Sequence, residues 1–239
     1  MTFSIISSDD PVVLFGGGTV STADIEVVHA LSAACVAADG GARVAHAAGL
    51  DLDAVIGDFD SISDDDLKHI PRERQHQFKE QDSTDFDKAL RHISAPVVLA
   101  VGFFGGRIDH QLASLHVLAR YPDRPCILLG PEEIALLCPR TLNLETQKGD
   151  IVSLFPLGPV EGQSSGLRWP IGGIAFDPLT TIGTSNEALG PVGLEMSAPS
   201  MIVIAPRRCL FSTMQALARA PRSAPWPARV ARHTDPPQS

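Results

Sequence analysis

The sequence predicts an α/β N-terminal domain on a mostly parallel sheet, followed by a C-terminal all-β sandwich domain. Three observations carry that prediction. Short apolar runs alternate with helix-like stretches through the first half, as in βαβ units. Near Pro131 the pattern changes to short β-prone runs separated by Gly, Pro, Ser and Thr, with no helix period. Four clusters of Asp and Gly fall at predicted strand ends or helix starts, where open α/β sheets bind their ligands.

The elements follow in order. The apolar run 11–15 is a strand that enters Gly16-Gly17-Gly18, and 22–34 reads as a helix. Strand 35–38 meets the first acidic cluster, Ala38-Asp39-Gly40-Gly41-Ala42, with a helix over 42–48 beyond it. Strand 54–56 meets Gly57-Asp58-Phe59-Asp60-Ser61, followed by a short helix near 64–69. Asp82-Ser83-Thr84-Asp85 opens a helix over 84–93. Strand 97–101 leads to Gly105-Gly106-Arg107-Ile108-Asp109-His110 and a helix over 110–120, whose Leu112, Leu115 and Ala119 share a face suited to packing on the sheet. Strand 126–129 completes an α/β domain over 1–130. Runs at 134–137, 151–155, 167–169 and 201–204 supply the strands of a second domain over 131–219. Residues 220–239, rich in Pro with Arg, Ser and His, read as a flexible tail, and the sequence does not say where Trp226 within it docks.

Composition excludes several function classes. With 239 residues and 44% hydrophobic content the chain can bury one large core or two modest ones. A net charge of −9 and the lack of a basic stripe argue against a nucleic-acid partner. The four cysteines are scattered singly, which fits neither zinc spacing nor a disulfide framework. The apolar runs are too short to span a membrane, and the N-terminus has no secretory pattern, so a soluble cytoplasmic protein is expected.

Each acidic cluster has a chemical and a structural reading. In an extended segment Asp58 and Asp60 point the same way and can share one cation, or the segment is a turn in which Asp60 or Ser61 caps the next helix. Asp82 can serve as N-cap with Asp85 in the first turn, or the site can hold a phosphate accompanied by Mg²⁺. Lys88 can pair with Thr84 or Asp85 on the helix surface or reach a phosphate. Asp109 can cap its helix, while Gly105-Gly106 permit close backbone approach and Arg107 can hold phosphate oxygens bidentately. Gly16–Gly18 fits neither the P-loop nor the dinucleotide pattern well. Four such clusters at one sheet edge suit carboxylates that hold Mg²⁺ on a polyphosphate. So acidic a chain needs such a metal to grip an anion like ATP.

In this order the motifs resemble the thiamine pyrophosphokinase (thiamine diphosphokinase) family: ADGGA at 38–42, GDFDSI at 57–62, QDSTDFDKAL at 81–90 and GGRIDHQLASLHVL at 105–118. Gly166-Leu167-Arg168-Trp169-Pro170 is similar to the family's GLxYP segment, with Trp169 where Tyr is more usual, and Gly183-Thr184-Ser185-Asn186-Glu187 to its GTSNE segment. The resemblance runs from about Val12 to Ala205. It implies an α/β nucleotide domain and a β-sandwich that together form a homodimer, with transfer of the diphosphate of ATP to the hydroxyl of thiamine to give thiamine diphosphate and AMP. By motif, Asp58, Asp60 and Asp85 are implied as Mg²⁺ ligands, with Asp39 near the same centre. Asp109 is the candidate general base. Gly40, Gly41, Gln81, Thr84, Lys88, Arg107 and Asp109 are implied to bind ATP or phosphate, and Ser185 and Asn186 to contact thiamine. A diphosphokinase for another alcohol, such as a hydroxymethylpterin, and a non-catalytic ATP or thiamine diphosphate sensor are the alternatives.

Overall fold

The computed structural model describes residues 3–219 and 226–229. In chain order its first half comprises β1 (Ile6–Ser7), β2 (Val12–Phe15), α1 (Thr22–Ala30), β3 (Ala34–Ala38), α2 (Gly41–Ala47), β4 (Ala54–Gly57), α3 (Asp64–Lys68), β5 (Gln75–Gln77), α4 (Asp85–Arg91), β6 (Ile93–Ser94), β7 (Val98–Val101), α5 (Ile108–Arg120) and β8 (Cys126–Leu129). The second half comprises β9 (Glu133–Leu137), β10 (Thr141–Leu144), β11 (Ile151–Pro156), β12 (Gly162–Leu167), β13 (Gly183–Met196), β14 (Met201–Pro206) and α6 (Leu210–Arg219).

Continuous apolar runs make the central strands because both faces of a parallel sheet are covered. The period of two then sorts each strand between two cores. Val13, Phe15, Cys35, Ala37, Leu99 and Val101 lie on one side with Val28, Ala42 and Ala45 of α1 and α2. Val12, Leu14, Val36, Ala38, Val98 and Ala100 lie on the other with Phe86, Leu90, Val117 and Leu118 of α4 and α5.

Six strands pair in parallel in the order β8-β7-β2-β3-β4-β5. Because β2 sits between β3 and β7, the strand order reverses there, which opens a crevice at the carboxyl ends. The Gly16 amide donates to the Val101 carbonyl at 2.7 Å and the Gly18 amide to the Gly102 carbonyl at 2.9 Å, so part of this glycine run stitches β2 to β7. Beyond β8 the sheet continues antiparallel through β9, β14, β11 and β13, giving one large mixed sheet. β13 pairs with β11 near its start and lies between β10 and β12 along its second part. Gly166 in β12 approaches this strand so closely that a Cβ there would lie 2.1 Å from the Pro191 carbonyl oxygen, and its φ of +77° is also glycine's.

Several sequence expectations are corrected. The GTSNE segment, outside the strand runs read from the sequence, is the start of a 14-residue strand, because β11 supplies it with a backbone partner. On α5, Ala119 is buried and Leu115 packs against the core as expected, but Leu112 is exposed, and Ser114, Val117 and Leu118 complete the buried face. β5 and β10 lack an apolar run and were set by pairing, and α6 stands against an all-β second half. Most of the tail over 220–239 lies outside the described residues, but Trp226–Arg229 is docked. The Trp226 indole is buried, donates to the Cys138 carbonyl at 2.9 Å and lies under the Arg140 guanidinium at 4.2 Å. Arg229 Nε donates to the Ala119 carbonyl at 2.7 Å and its Nη2 to that of Pro199 at 2.8 Å.

Candidate active site

Each acid takes its place from the end of an element. β3 ends at Ala38, and Asp39 follows with a left-handed φ of 40°. That turn starts α2 at Gly41, where a Cβ would sit 2.0 Å from the Phe15 carbonyl oxygen, so Gly41 and its neighbour Gly40 act here through the backbone. β4 ends at Gly57, and Asp58 and Asp60 follow in a turn, one of the two readings the sequence leaves open. Phe59 has a φ of 67°, and the Asp60 amide donates to Asp58 Oδ1 at 3.3 Å. The turn still converges the acids: a carboxylate oxygen from each of Asp39, Asp58 and Asp60 lies within 4.8 Å of the others.

Lys88 stands at the centre of this edge. It is 1% exposed, and its Nζ donates to Asp58 Oδ2 and Asp85 Oδ1, each at 3.1 Å. Residues 85 and 88 are one turn apart on α4, which is why both reach the same place. Thr84, not Asp82, is the N-cap of α4, its Oγ1 accepting from the Asp87 amide at 3.2 Å. Neither Asp60 nor Ser61 caps α3; Ser63 does. Gln81 donates to Asp58 Oδ2 at 3.3 Å. Two further residues hold the acids in place. The Ser61 amide donates to Asp39 Oδ2 at 3.0 Å and its hydroxyl to Asp60 Oδ1 at 2.8 Å, while Gln77 Nε2 donates to the Asp58 carbonyl at 2.8 Å. Ser61 was visible within GDFDS, whereas nothing in the sequence marks Gln77.

The electrostatics separate the acids. Burial pushes Asp39 up to about 6, against the Ser61 hydrogen bond, and the nearby Asp85 and Asp60 charges add to the rise. Its Oδ1 is buried with no hydrogen-bond partner. Burial also works to raise Asp58, but the hydrogen bond from Lys88 and those from the Asp60 amide and Gln81 hold it below the usual carboxylate range. Burial works to depress Lys88, yet its bonds to Asp85 and Asp58 hold it above the ordinary lysine value. A buried, unsatisfied carboxylate oxygen converging with two other carboxylates fits a hard divalent cation such as Mg²⁺.

The remaining candidates have other partners among the described residues. Arg107 is the N-cap residue of α5 and closes on Asp109, with Nε to Oδ1 at 3.1 Å and Nη2 to Oδ2 at 2.5 Å. Both side chains are exposed, and the Arg107 hydrogen bonds hold Asp109 below the usual range, which makes it a poor general base. Ser185 has a φ of 60°, with its amide donating to Ser153 Oγ at 3.0 Å. Asn186 is turned inward. Its Nδ2 donates to the Trp169 carbonyl at 2.7 Å, and its Oδ1 accepts from the amides of Trp169 and Glu187 at 3.2 and 2.9 Å. It therefore holds the segment that presents the half-exposed Trp169. Among the described residues no hydrogen bond or ion pair joins Ser185 or Asn186 to the acidic cluster.

Residues 27–128 match the family model described as "Thiamin pyrophosphokinase, catalytic domain". Thiamine pyrophosphokinase 1 of Arabidopsis thaliana is 32% identical over 153 residues, covering 56% of this chain and 57% of that protein. Thiamine pyrophosphokinase 1 of Oryza sativa is 28% identical over 153 residues, covering 56% and 58%. The chain thus spans little more than half the length of these relatives. Among solved structures, thiamin pyrophosphokinase from Geobacillus thermodenitrificans superposes with a TM-score of 0.68 at 22% identity, covering 82% of this chain and 97% of that one. The Candida albicans thiamin pyrophosphokinase gives 0.67 at 17%, covering 85% and 92%. At these identities the likeness is one of fold.

Proposed function

Taking as premise the thiamine pyrophosphokinase family, which the matched domain, the curated relatives and the solved folds all indicate, we propose that the chain makes thiamine diphosphate and AMP from thiamine and ATP. The observation that carries the proposal is the trio Asp39, Asp58 and Asp60 at the carboxyl ends of β3 and β4, with Asp58 bonded to buried Lys88. Four carboxylates, Asp85 included, face one ammonium there, a surplus that would repel ATP without a cation. Asp39, Asp58 and Asp60 are the residues that would hold Mg²⁺, with Asp85 beside them. Bound there, the ion would neutralise phosphate charge.

The chain's own residues supply positioning and a fixed positive charge. Such a transfer depends on in-line placement of the hydroxyl and β-phosphorus more than on covalent chemistry by the protein. Lys88 is an ammonium fixed in place before substrate arrives, so it needs no reorganisation when charge develops. Gln81 and Ser61 orient the acids, and Thr84 fixes the start of α4. Arg107 is exposed and can exchange Asp109 for phosphate oxygens. In this reading the nucleotide site belongs to 1–130 and the alcohol site to the β-rich part over 131–219, where Ser185 and the Trp169 segment held by Asn186 lie. A cytoplasmic homodimer completes it. Neither the pterin-type alternative nor the sensor is favoured by the comparisons.

The test is chromatography of the nucleotide product formed with Mg²⁺ and ATP, with and without thiamine. AMP and thiamine diphosphate are expected only when thiamine is present. ADP as sole product overturns the reading, and AMP formed with a hydroxymethylpterin but not with thiamine transfers it to the alternative.

A further inference from the structure

α4 turns two different faces to its surroundings. Asp85 and Lys88 face the acidic centre, while Asp87 and Arg91 face the seam with α5. Asp87 is 2% exposed. Its Oδ1 accepts from the Tyr121 hydroxyl at 2.7 Å and its Oδ2 from Arg120 Nη1 at 2.9 Å, while Arg91 Nη1 lies 3.7 Å from Oδ1. Arg91 also pairs with Glu80 in the segment that carries Gln81, and Glu80 accepts from Ser83 as well. The Asp87 amide is the one capped by Thr84. One buried carboxylate therefore joins the end of α5 to the last turn of α4, and Arg91 carries the link on to the segment entering α4.

Among the described residues no hydrogen bond or ion pair joins this network to Asp39, Asp58 or Asp60, yet Lys88 is the next residue along the chain. A seven-residue helix has too few turns to fix its own rotation, so outside contacts must set it. Phe86, Ala89 and Leu90 seat α4 on the sheet, but apolar contacts are non-directional and tolerate small rotations. Hydrogen bonds and ion pairs to a buried carboxylate tolerate them less, because misalignment leaves a buried charge unpaired. We infer that Asp87 is a positioning residue, whose grip by Tyr121, Arg120 and Arg91 fixes the rotation of α4 and so delivers Lys88 between Asp58 and Asp85. The inference rests on the diphosphotransfer reading for its kinetic consequence, but not for its structural one.

The test uses Asp87→Asn, which keeps an acceptor for Tyr121 but removes the charge, and Arg120→Met at the half-exposed end of the network, which threatens the fold less. Wild-type AMP formation is measured first, and its absence would count against the proposed function alone. With that activity in hand, kcat of Asp87→Asn is expected to fall on the order of tenfold to a hundredfold, with the thiamine KM unchanged, the scale of misplacing a reacting group's neighbour. Arg120→Met should fall in the same direction by less. Independently of activity, acetylation of Lys88 followed by mass spectrometry should be faster in both variants than in wild type, measured well below their melting temperatures. Wild-type kcat together with an unreactive Lys88 in folded Asp87→Asn or Arg120→Met would make the network purely structural and overturn the inference.

Discussion

At Asp39 a left-handed backbone, near-complete burial and an oxygen with no partner occur in one residue. A carboxyl raised to about 6 in the native state destabilises the fold at higher pH, because the unfolded chain ionises it near 3.8 at no such cost. The penalty is absent below 3.8, grows between there and about 6, and is complete above. It is worth roughly 2–3 kcal/mol. Asp39→Asn should therefore raise the melting temperature of the metal-free protein at pH 7.5 and leave it near wild type at pH 4, as thermal melts at the two pH values will read. The same substitution should cut kcat by at least ~10²-fold, the scale of losing one main electrostatic group. Mg²⁺ should stabilise the wild type and do little for the variant. A variant no more stable than wild type at pH 7.5 would show that the burial is compensated elsewhere.

Among elements, β13 carries the least expected arrangement. Its Asn186 spends both ends of its amide on the Trp169 backbone and the Glu187 amide, so its effect on a ligand passes through the Gly166–Pro170 segment. Asn186→Ala would leave the part-buried Trp169 amide and carbonyl without this partner, at a cost of about 1–3 kcal/mol. Chemical denaturation should show that loss, and the thiamine KM should rise roughly tenfold with the ATP KM unchanged. A raised KM at full stability would instead indicate direct contact with the ligand. α4 shows the complementary case: the pairing of Lys88 with Asp85 was legible from their spacing, but its partner Asp58 comes from another strand end, 30 residues earlier.

For the molecule as a whole, the large mixed sheet ties the parallel strands to the β-rich part through β8 and β9, and the C-terminal segment reinforces that seam. Trp226 fills a crevice with Leu118, Pro125, Leu137, Pro139 and Leu217, while Arg229 bridges the end of α5 to Pro199. Trp226→Ala is expected to lower stability by about 3–5 kcal/mol, as truncation of a buried tryptophan does. Urea denaturation should show it as an earlier midpoint with an unchanged slope. An unchanged midpoint would mean that the segment leaves the seam in solution.

The motif order pointed to the family that the comparisons indicate, because its signals are local: glycines and acids next to apolar runs, within a few residues of one another. The central strands were legible for the same reason, since a run buried on both faces must itself be apolar. Strands such as β5 and β10 and the second part of β13 were not, because pairing partners and not their own residues make them strands. By itself the sequence determined which strand ends carry carboxylates. Only the tertiary structure decided that Asp39 joins Asp58 and Asp60, that Lys88 stands between Asp58 and Asp85, that Asn186 faces inward and that Trp226 docks. Those outcomes depend on backbone turns and on contacts between distant segments, and both form only when the sheet brings its strand ends to one edge.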